Sequence, residues 1–183
     1  MELDDAIRRR RSIRRYARRP VEASVVREIL ELGRHAPSSM NGQPWIFTVV
    51  RDQATKRELS DLKNQYCPVE KQDFRADFIQ AAPVIVVVCV DLEVSHDRAI
   101  ENGVLAAANI MLAACARGLG TVYMSAYRQD EPAVSAAIQR LLGLPPHIAP
   151  ISILPMGYPD EAPGPKAMKP LDGIVFDDRY AHG

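Results

Sequence analysis

VIVVVCV, residues 84–90, is an unbroken apolar run with no polar alternate, and its reading decides the fold. Short and rich in β-branched residues, it reads as a strand. A strand apolar on both faces belongs at the centre of a sheet covered by helices on each side. Downstream, residues 97–117 give a long, largely buried helix ended by the glycines of RGLG at 117–120, and TVYM at 121–124 reads as another strand. Upstream, WIFTVV at 45–50 is a strand, and ATKRELSDLKNQY at 54–66 returns to helical character. Before these, Val25, Val26, Ile29, Leu30 and Gly33 share one side of an amphipathic helix over 22–35, which Pro37 stops. Asp130 and Pro132 form an N-cap and early-helix pair for a helix striped by Ala133, Val134, Ala137, Ile138, Leu141 and Leu142 as far as Gly143. A last strand over 148–156 leads into a tail with Pro155, Pro159, Pro163, Pro165 and Pro170, which cannot pair throughout as an interior strand. Leu171, Ile174, Val175 and Phe176 mark the end of that tail as an arm laid across something. The sum is one α/β domain over 1–183 in a mixed layer arrangement.

Composition agrees with a single globular domain: 183 residues, 47% hydrophobic and 25% charged. With 23 Lys+Arg against 23 Asp+Glu the net charge is zero, so the whole-molecule field gives no argument for nucleic acid or an anionic membrane. The apolar stretch at 103–116 is shorter than the roughly 20 residues of a bilayer span and contains Asn109. MELDDAIRRRRSIRRY has no apolar core of a secretory signal, so the expected location is the cytoplasm. Cys67, Cys89 and Cys115 form no CxxC pair, and His35, His96, His147 and His182 have no ligand spacing, so neither a disulfide nor a metal site is expected. Cys89 and Cys115 read as small buried hydrophobes, and Cys67, before Pro68, is the thiol whose reactivity stays open.

Charge is nevertheless segregated. Arg8, Arg9, Arg10, Arg11, Arg14, Arg15, Arg18 and Arg19 cluster without one acid between them, leaving 15 bases against 23 acids elsewhere. Guanidinium groups match phosphate bidentately, and Ser12 can add a hydrogen bond to the same oxyanion. Composition leaves three readings: a solvated basic face, a nucleic-acid contact, or a site for a phosphate-bearing small ligand. Tyr16 is the lone aromatic in the patch, where single-strand binders interleave several. A second feature, APSSMNGQPW at 36–45, offers the donors and acceptors of Ser38, Ser39, Asn41 and Gln43, suited to a polar ring edge or a sugar chain, or to turn chemistry alone. A third, LPMGYPDEAPGPKAMKP at 154–170, is a glycine turn followed by Lys166 and Lys169.

In order, RRSIRRY at 10–16, APSSMNGQPW, AAANIMLAACARGLGT at 106–121 and LPMGYPDEAPGPK together resemble the nitroreductase family of flavin-dependent oxidoreductases, over nearly the whole chain. The resemblance implies a mixed central sheet flanked by helices, an extended C-terminal arm, and an intertwined homodimer with FMN at the subunit interface. It implies that Arg10, Arg11 and Ser12 hold the FMN phosphate and ribityl chain and that Arg14 lies near the pyrimidine edge of the flavin. A cation there stabilises the anionic reduced flavin. Pro37, Ser38, Ser39, Asn41 and Gln43 match a motif that the family takes from the partner subunit. Tyr123, Met124 and Ser125 match backbone lying along the flavin ring, and Gly157 and Lys166 match the terminal motif, in which lysine completes the phosphate site. Related sequences often carry an arginine two residues beyond that lysine; here the residue is Met168, and the resemblance implies that Lys169 substitutes in binding the phosphate or that the phosphate is held mainly from Arg10.

The function so implied is hydride transfer from NAD(P)H through flavin N5 to an electron-poor acceptor such as a nitroarene or quinone, in ping-pong order. The flavin carries the chemistry, so no side chain is assigned as catalytic. The absence of GxGxxG fits a nicotinamide that visits the flavin without a dinucleotide fold of its own. Residues 60–80 fall where the family varies most, and Tyr66, Phe74, Phe78 and Tyr127 are lid aromatics or plain packing residues. Reductive dehalogenation or oxidative flavin breakdown on the same scaffold, and a nucleic-acid module using the arginine cluster, are the alternatives.

Overall fold

A computed structural model describes residues 1–67, 75–127 and 132–180. In chain order the elements are α1 (Leu3–Arg9), α2 (Ala23–Gly33), β1 (Trp45–Val50), α3 (Gln53–Gln65), α4 (Phe78–Ala81), β2 (Val84–Asp91), α5 (Ala99–Ala116), β3 (Gly120–Thr121), β4 (Met124–Ser125), α6 (Pro132–Leu142) and β5 (Ile148–Gly157). Asp130, Phe74 and His182 lie outside the described residues.

The sheet order is β1-β2-β5-β3, with β4 also paired to β5. Val84, Val86 and Val88 of β2 pack with Val26 and Ile29 of α2 and Ala107 and Ile110 of α5. Ile85, Val87 and Cys89 pack on the other face with Leu59, Ile79, Val134 and Ile138 from α3, α4 and α6. Helices therefore cover both faces, which is why the run has no polar alternate. Each fully buried Val or Ile contributes about 1.5–3 kcal/mol of transfer free energy. The strand pairs are antiparallel. The mixed character expected of the sheet is confined to an isolated parallel bridge between Ser12 and Thr121.

The strand expected over 121–124 is two short strands instead. Thr121 pairs with Met156 and Met124 with Ile153, so the break at Val122–Tyr123 faces Leu154 and Pro155. Pro155 has no N–H to give a ladder, and the interruption falls opposite it. Pro150 is accommodated similarly, next to the register shift between Val88 and Cys89. The break turns Tyr123 out of the ladder and leaves it exposed.

α5 lies close on β5. A Cβ at Gly103 would stand 2.7 Å from the Ile151 Cβ, so the absence of a side chain sets the helix-to-sheet distance. By length and composition α5 could cross a bilayer, but here one face is core, with Ala106, Ala107, Ile110 and Ala114 buried. The largely buried helix expected at 97–117 is thus buried on one side: Ile100, Val104 and Leu105 are exposed on the other. The basic cluster begins in α1, a helix that periodicity does not announce because it buries Ala6 alone. Asp4 and Asp5 in its first turn and Arg8 and Arg9 in its last complement the helix dipole.

Candidate functional site

Two buried side chains aim the arginine segment. Ile13 and Tyr16 point into the core, and the Ile13 N–H donates to the Thr121 carbonyl at 3.0 Å. A Cβ at Gly120 would stand 2.6 Å from the Ile13 Cβ, so glycine is what lets this crossing approach. The Tyr16 hydroxyl donates to the Ile13 carbonyl at 2.6 Å, and burial pushes its phenol pKa well above the ordinary value. With these two inward, Ser12, Arg14 and Arg15 are left exposed.

The C-terminal segment runs beside this stretch. The Ala17 N–H donates to the Tyr158 carbonyl at 2.9 Å and the Asp160 N–H to the Arg15 carbonyl at 3.0 Å. The Arg19 guanidinium lies 3.9 Å over the Tyr158 ring. The Glu161 carboxylate accepts the backbone N–H groups of Arg14 and Arg15, and the Arg14 bond is the first cause holding its pKa below the usual glutamate range.

So fixed, the arm brings Lys166 to a cleft of about 500 Å³. Arg10, Ser12, Tyr123 and Lys166 line it together, with Ile7 of α1 and a floor of Val104, Ala108, Met111 and Leu112 from α5. A neighbouring cavity of about 370 Å³ shares Arg10 and Met111 and adds Arg8, Arg9, Arg11, Cys115 and Glu161. Arg11 Nη1 donates to the carbonyls of Arg8 at 2.7 Å and Arg10 at 3.0 Å, while its Nε is buried without a hydrogen-bond partner. Cys115 corrects its expected burial: it is half-buried and faces this arginine-lined cavity.

The remaining sequence-derived positions fall elsewhere. Arg14 lines neither cavity; its guanidinium sits 5.8 Å from the Phe78 ring centroid. Met124 is a buried strand residue. Ser125 is half-buried, donating its hydroxyl to the Tyr127 carbonyl at 2.6 Å while its own carbonyl accepts Lys63 Nζ at 2.7 Å. Gly157 answers a packing demand, since a Cβ there would stand 2.6 Å from the Pro83 ring. Met168 and Lys169 are exposed and line neither cavity. Tyr66 and Phe78 pack on the α3/α6 side of the core and Tyr127 on a smaller cluster, which favours their plain reading. Pro37, Ser38, Ser39, Asn41 and Gln43 do not line the cleft; they lie on a loop tied to the N-terminal part of α5. The cleft floor on α5 and the Glu161 latch escaped sequence reading, although outward apolar residues on a core helix were a readable signal.

A family model described as the nitroreductase family matches residues 7–158. The chain belongs to the nitroreductase family. The matched span includes Arg10, Ser12 and Tyr123 and ends before Lys166. Among nitroreductase relatives, the chain is 31% identical to a Thermus thermophilus protein named NADH dehydrogenase, covering 96% of each. It is 30% identical to the Bacillus subtilis FMN reductase [NAD(P)H], covering 93% of this chain and 71% of the relative. The solved structure of an FMN-dependent nitroreductase from Clostridium difficile superposes with a TM-score of 0.82 at 28% identity, covering 97% of this chain and 99% of the other.

Proposed function

We propose that this nitroreductase-family chain is an FMN-dependent, NAD(P)H-using oxidoreductase of the cytoplasm, and that it works as a homodimer. The observation that carries the reading is the convergence of Arg10, Ser12 and Lys166 with an apolar floor in one cleft. Two cations and a hydroxyl suit a phosphate and sugar chain, and the apolar floor of Val104, Ala108 and Leu112 with Tyr123 suits an aromatic ring system. The unpartnered Arg11 Nε next door is the kind of buried donor that an anion satisfies. The donor set therefore fits FMN, and the names of the flavin-using relatives support it.

Arg10 and Lys166 hold the phosphate in this reading, Ser12 takes the ribityl chain, and the α5 floor excludes water from one side of the ring. FMN, when bound, would supply two-electron chemistry between NAD(P)H and a nitroarene or quinone, the two substrates visiting the same cleft in ping-pong order. Arg14 would supply positive charge towards the pyrimidine edge only by leaving its place over the Phe78 ring. The loop bearing Ser38, Ser39, Asn41 and Gln43 serves the cleft of a second copy, which accounts for its place outside its own. Exposed Ile100 and Leu105 on α5 and Leu171, Ile174 and Val175 on the arm supply the apolar surface that a second copy covers.

The test is the visible spectrum of protein purified without added cofactor, followed by assay of NADH and NADPH oxidation with a nitroarene and a quinone. Absorbance near 370 and 450 nm, roughly the oxidised flavin bands, with FMN released on heating and turnover with either nucleotide, is the expected result. Colourless protein that takes up no FMN and oxidises neither nucleotide overturns the reading.

A further inference from the structure

Asn102 is a polar side chain buried on α5, 2% exposed, and it lines neither of the two cavities described above. Its Oδ1 accepts the Ser39 N–H at 3.0 Å and its Nδ2 donates to the Ser95 carbonyl at 3.1 Å. Its own carbonyl accepts Trp45 Nε1 at 3.0 Å. One residue therefore ties the 36–45 loop at two points and the turn at 92–98 at a third.

The two loops it joins are pressed together and strained. A Cβ at Gly42 would stand 2.3 Å from the Val94 carbonyl oxygen. Met40, Asn41 and Gln43 in one loop have φ of 49°, 56° and 47°, and His96 and Asp97 in the other have 52° and 58°. Non-glycine residues hold this left-handed backbone where surrounding contacts over-determine it, and such strain gathers at binding sites. The Asn102 side-chain amide bridges the two loops beside these residues, at Ser39 in one and Ser95 in the other. Ser38 Oγ adds a local brace by accepting the Gln43 N–H at 3.0 Å.

We propose that Asn102 is the positioning residue of the flavin-contacting loop, setting the backbone at Ser39 without touching the cofactor. The proposal rests on the FMN reading above. Asn102 sits on the helix whose Val104, Ala108 and Leu112 floor the cleft of the same chain while the loop it holds serves the cleft of the second copy, so one rigid element carries a part of each site. An asparagine amide presents an acceptor to Ser39 and a donor to Ser95 at once. Aspartate keeps the acceptor and loses the donor; leucine loses both.

The test compares FMN titration and melting temperature for the dimeric wild type, Asn102→Leu, Asn102→Asp and Trp45→Phe. Asn102→Leu should weaken FMN binding about tenfold or more, by leaving the Ser39 N–H unpaired. Asn102→Asp should recover most of that affinity despite losing the Ser95 bond. Trp45→Phe removes a hydrogen bond to the same residue without touching Ser39. It should lower the melting temperature and leave FMN affinity within about twofold. Asn102→Ala replaces the leucine variant if that one does not fold. Wild-type FMN affinity in the leucine or alanine variant overturns the proposal. So does a Trp45→Phe loss of affinity matching that of Asn102→Leu at equal loss of melting temperature, because that is general loosening. Wild-type protein that takes up no FMN overturns the functional reading and this proposal together, and the unmutated control tells the two failures apart.

Discussion

Glu161 reaches back across 147 residues of chain to accept the backbone N–H of Arg14 at 2.5 Å, and the same carboxylate takes the Arg15 N–H at 3.1 Å. It latches the base of the arm to the arginine segment. Its pKa is lowered in the folded chain, so the ionised form is the one the latch favours. The contribution is present above the ordinary glutamate range and is lost as pH falls through the lowered folded value. Limited proteolysis of the arm should accelerate in that acidic window. Glu161→Gln should show faster cleavage at neutral pH and little further change on acidification; cleavage of wild type that ignores pH would remove the latch from the account.

Arg10 lines both cavities. Arg10→Ala should weaken FMN retention by about 1.5–3 kcal/mol, the range for a charge-assisted hydrogen bond, which is roughly ten- to 150-fold in Kd. An unchanged flavin titration would show that another arginine holds the phosphate.

At Gly103 the first added atom meets the Ile151 side chain. Gly103→Ala should lower stability by about 1–3 kcal/mol through overpacking between α5 and β5. The gain in helix propensity, about 1 kcal/mol, does not offset a displaced helix. Denaturant unfolding measures the difference, and a stabilised variant would mean that the layers separate freely.

Burial pushes the Cys89 thiol up to about 12, so it stays protonated at neutral pH. A thiol reagent should label Cys89 after unfolding and not before. Cys115 is raised by burial as the first cause, with Arg10, Arg9 and Arg11 pulling the other way, and should react slowly in the native protein. Native labelling at Cys89 would require β2 to open.

Sedimentation should give a dimer of the 20.3 kDa chain. Leu105→Glu puts a charge on the exposed side of α5 and should yield monomer with reduced FMN occupancy. A monomeric wild type with full flavin would contradict the shared site.

The sheet was legible because β2 alternates between two covered faces, and a run such as VIVVVCV has few other uses. The helix at α2 followed its stripe of Val26, Ile29 and Gly33 inward. α1 was not legible, because a helix that buries one alanine has no periodicity to read. The strand at 121–124 misled because Pro155, which breaks it, lies far away in sequence. At the site, Arg10, Ser12, Tyr123 and Lys166 could be collected from the order of the motifs. Asn102 could not, since a single amide in an apolar helix gives no sign of which loop it will hold.

The partners in the Glu161 latch are made 147 residues apart. During synthesis, Arg10 and Ser12 emerge early and wait, while Lys166 leaves the ribosome only after every strand of the sheet. The cleft is therefore completed late, by contacts of high sequence separation. β5 pairs with β2, β3 and β4, and Lys166 follows close behind its end at Gly157, so the sheet and the anion cleft are completed by the same late stretch of chain and neither has its finished form without it.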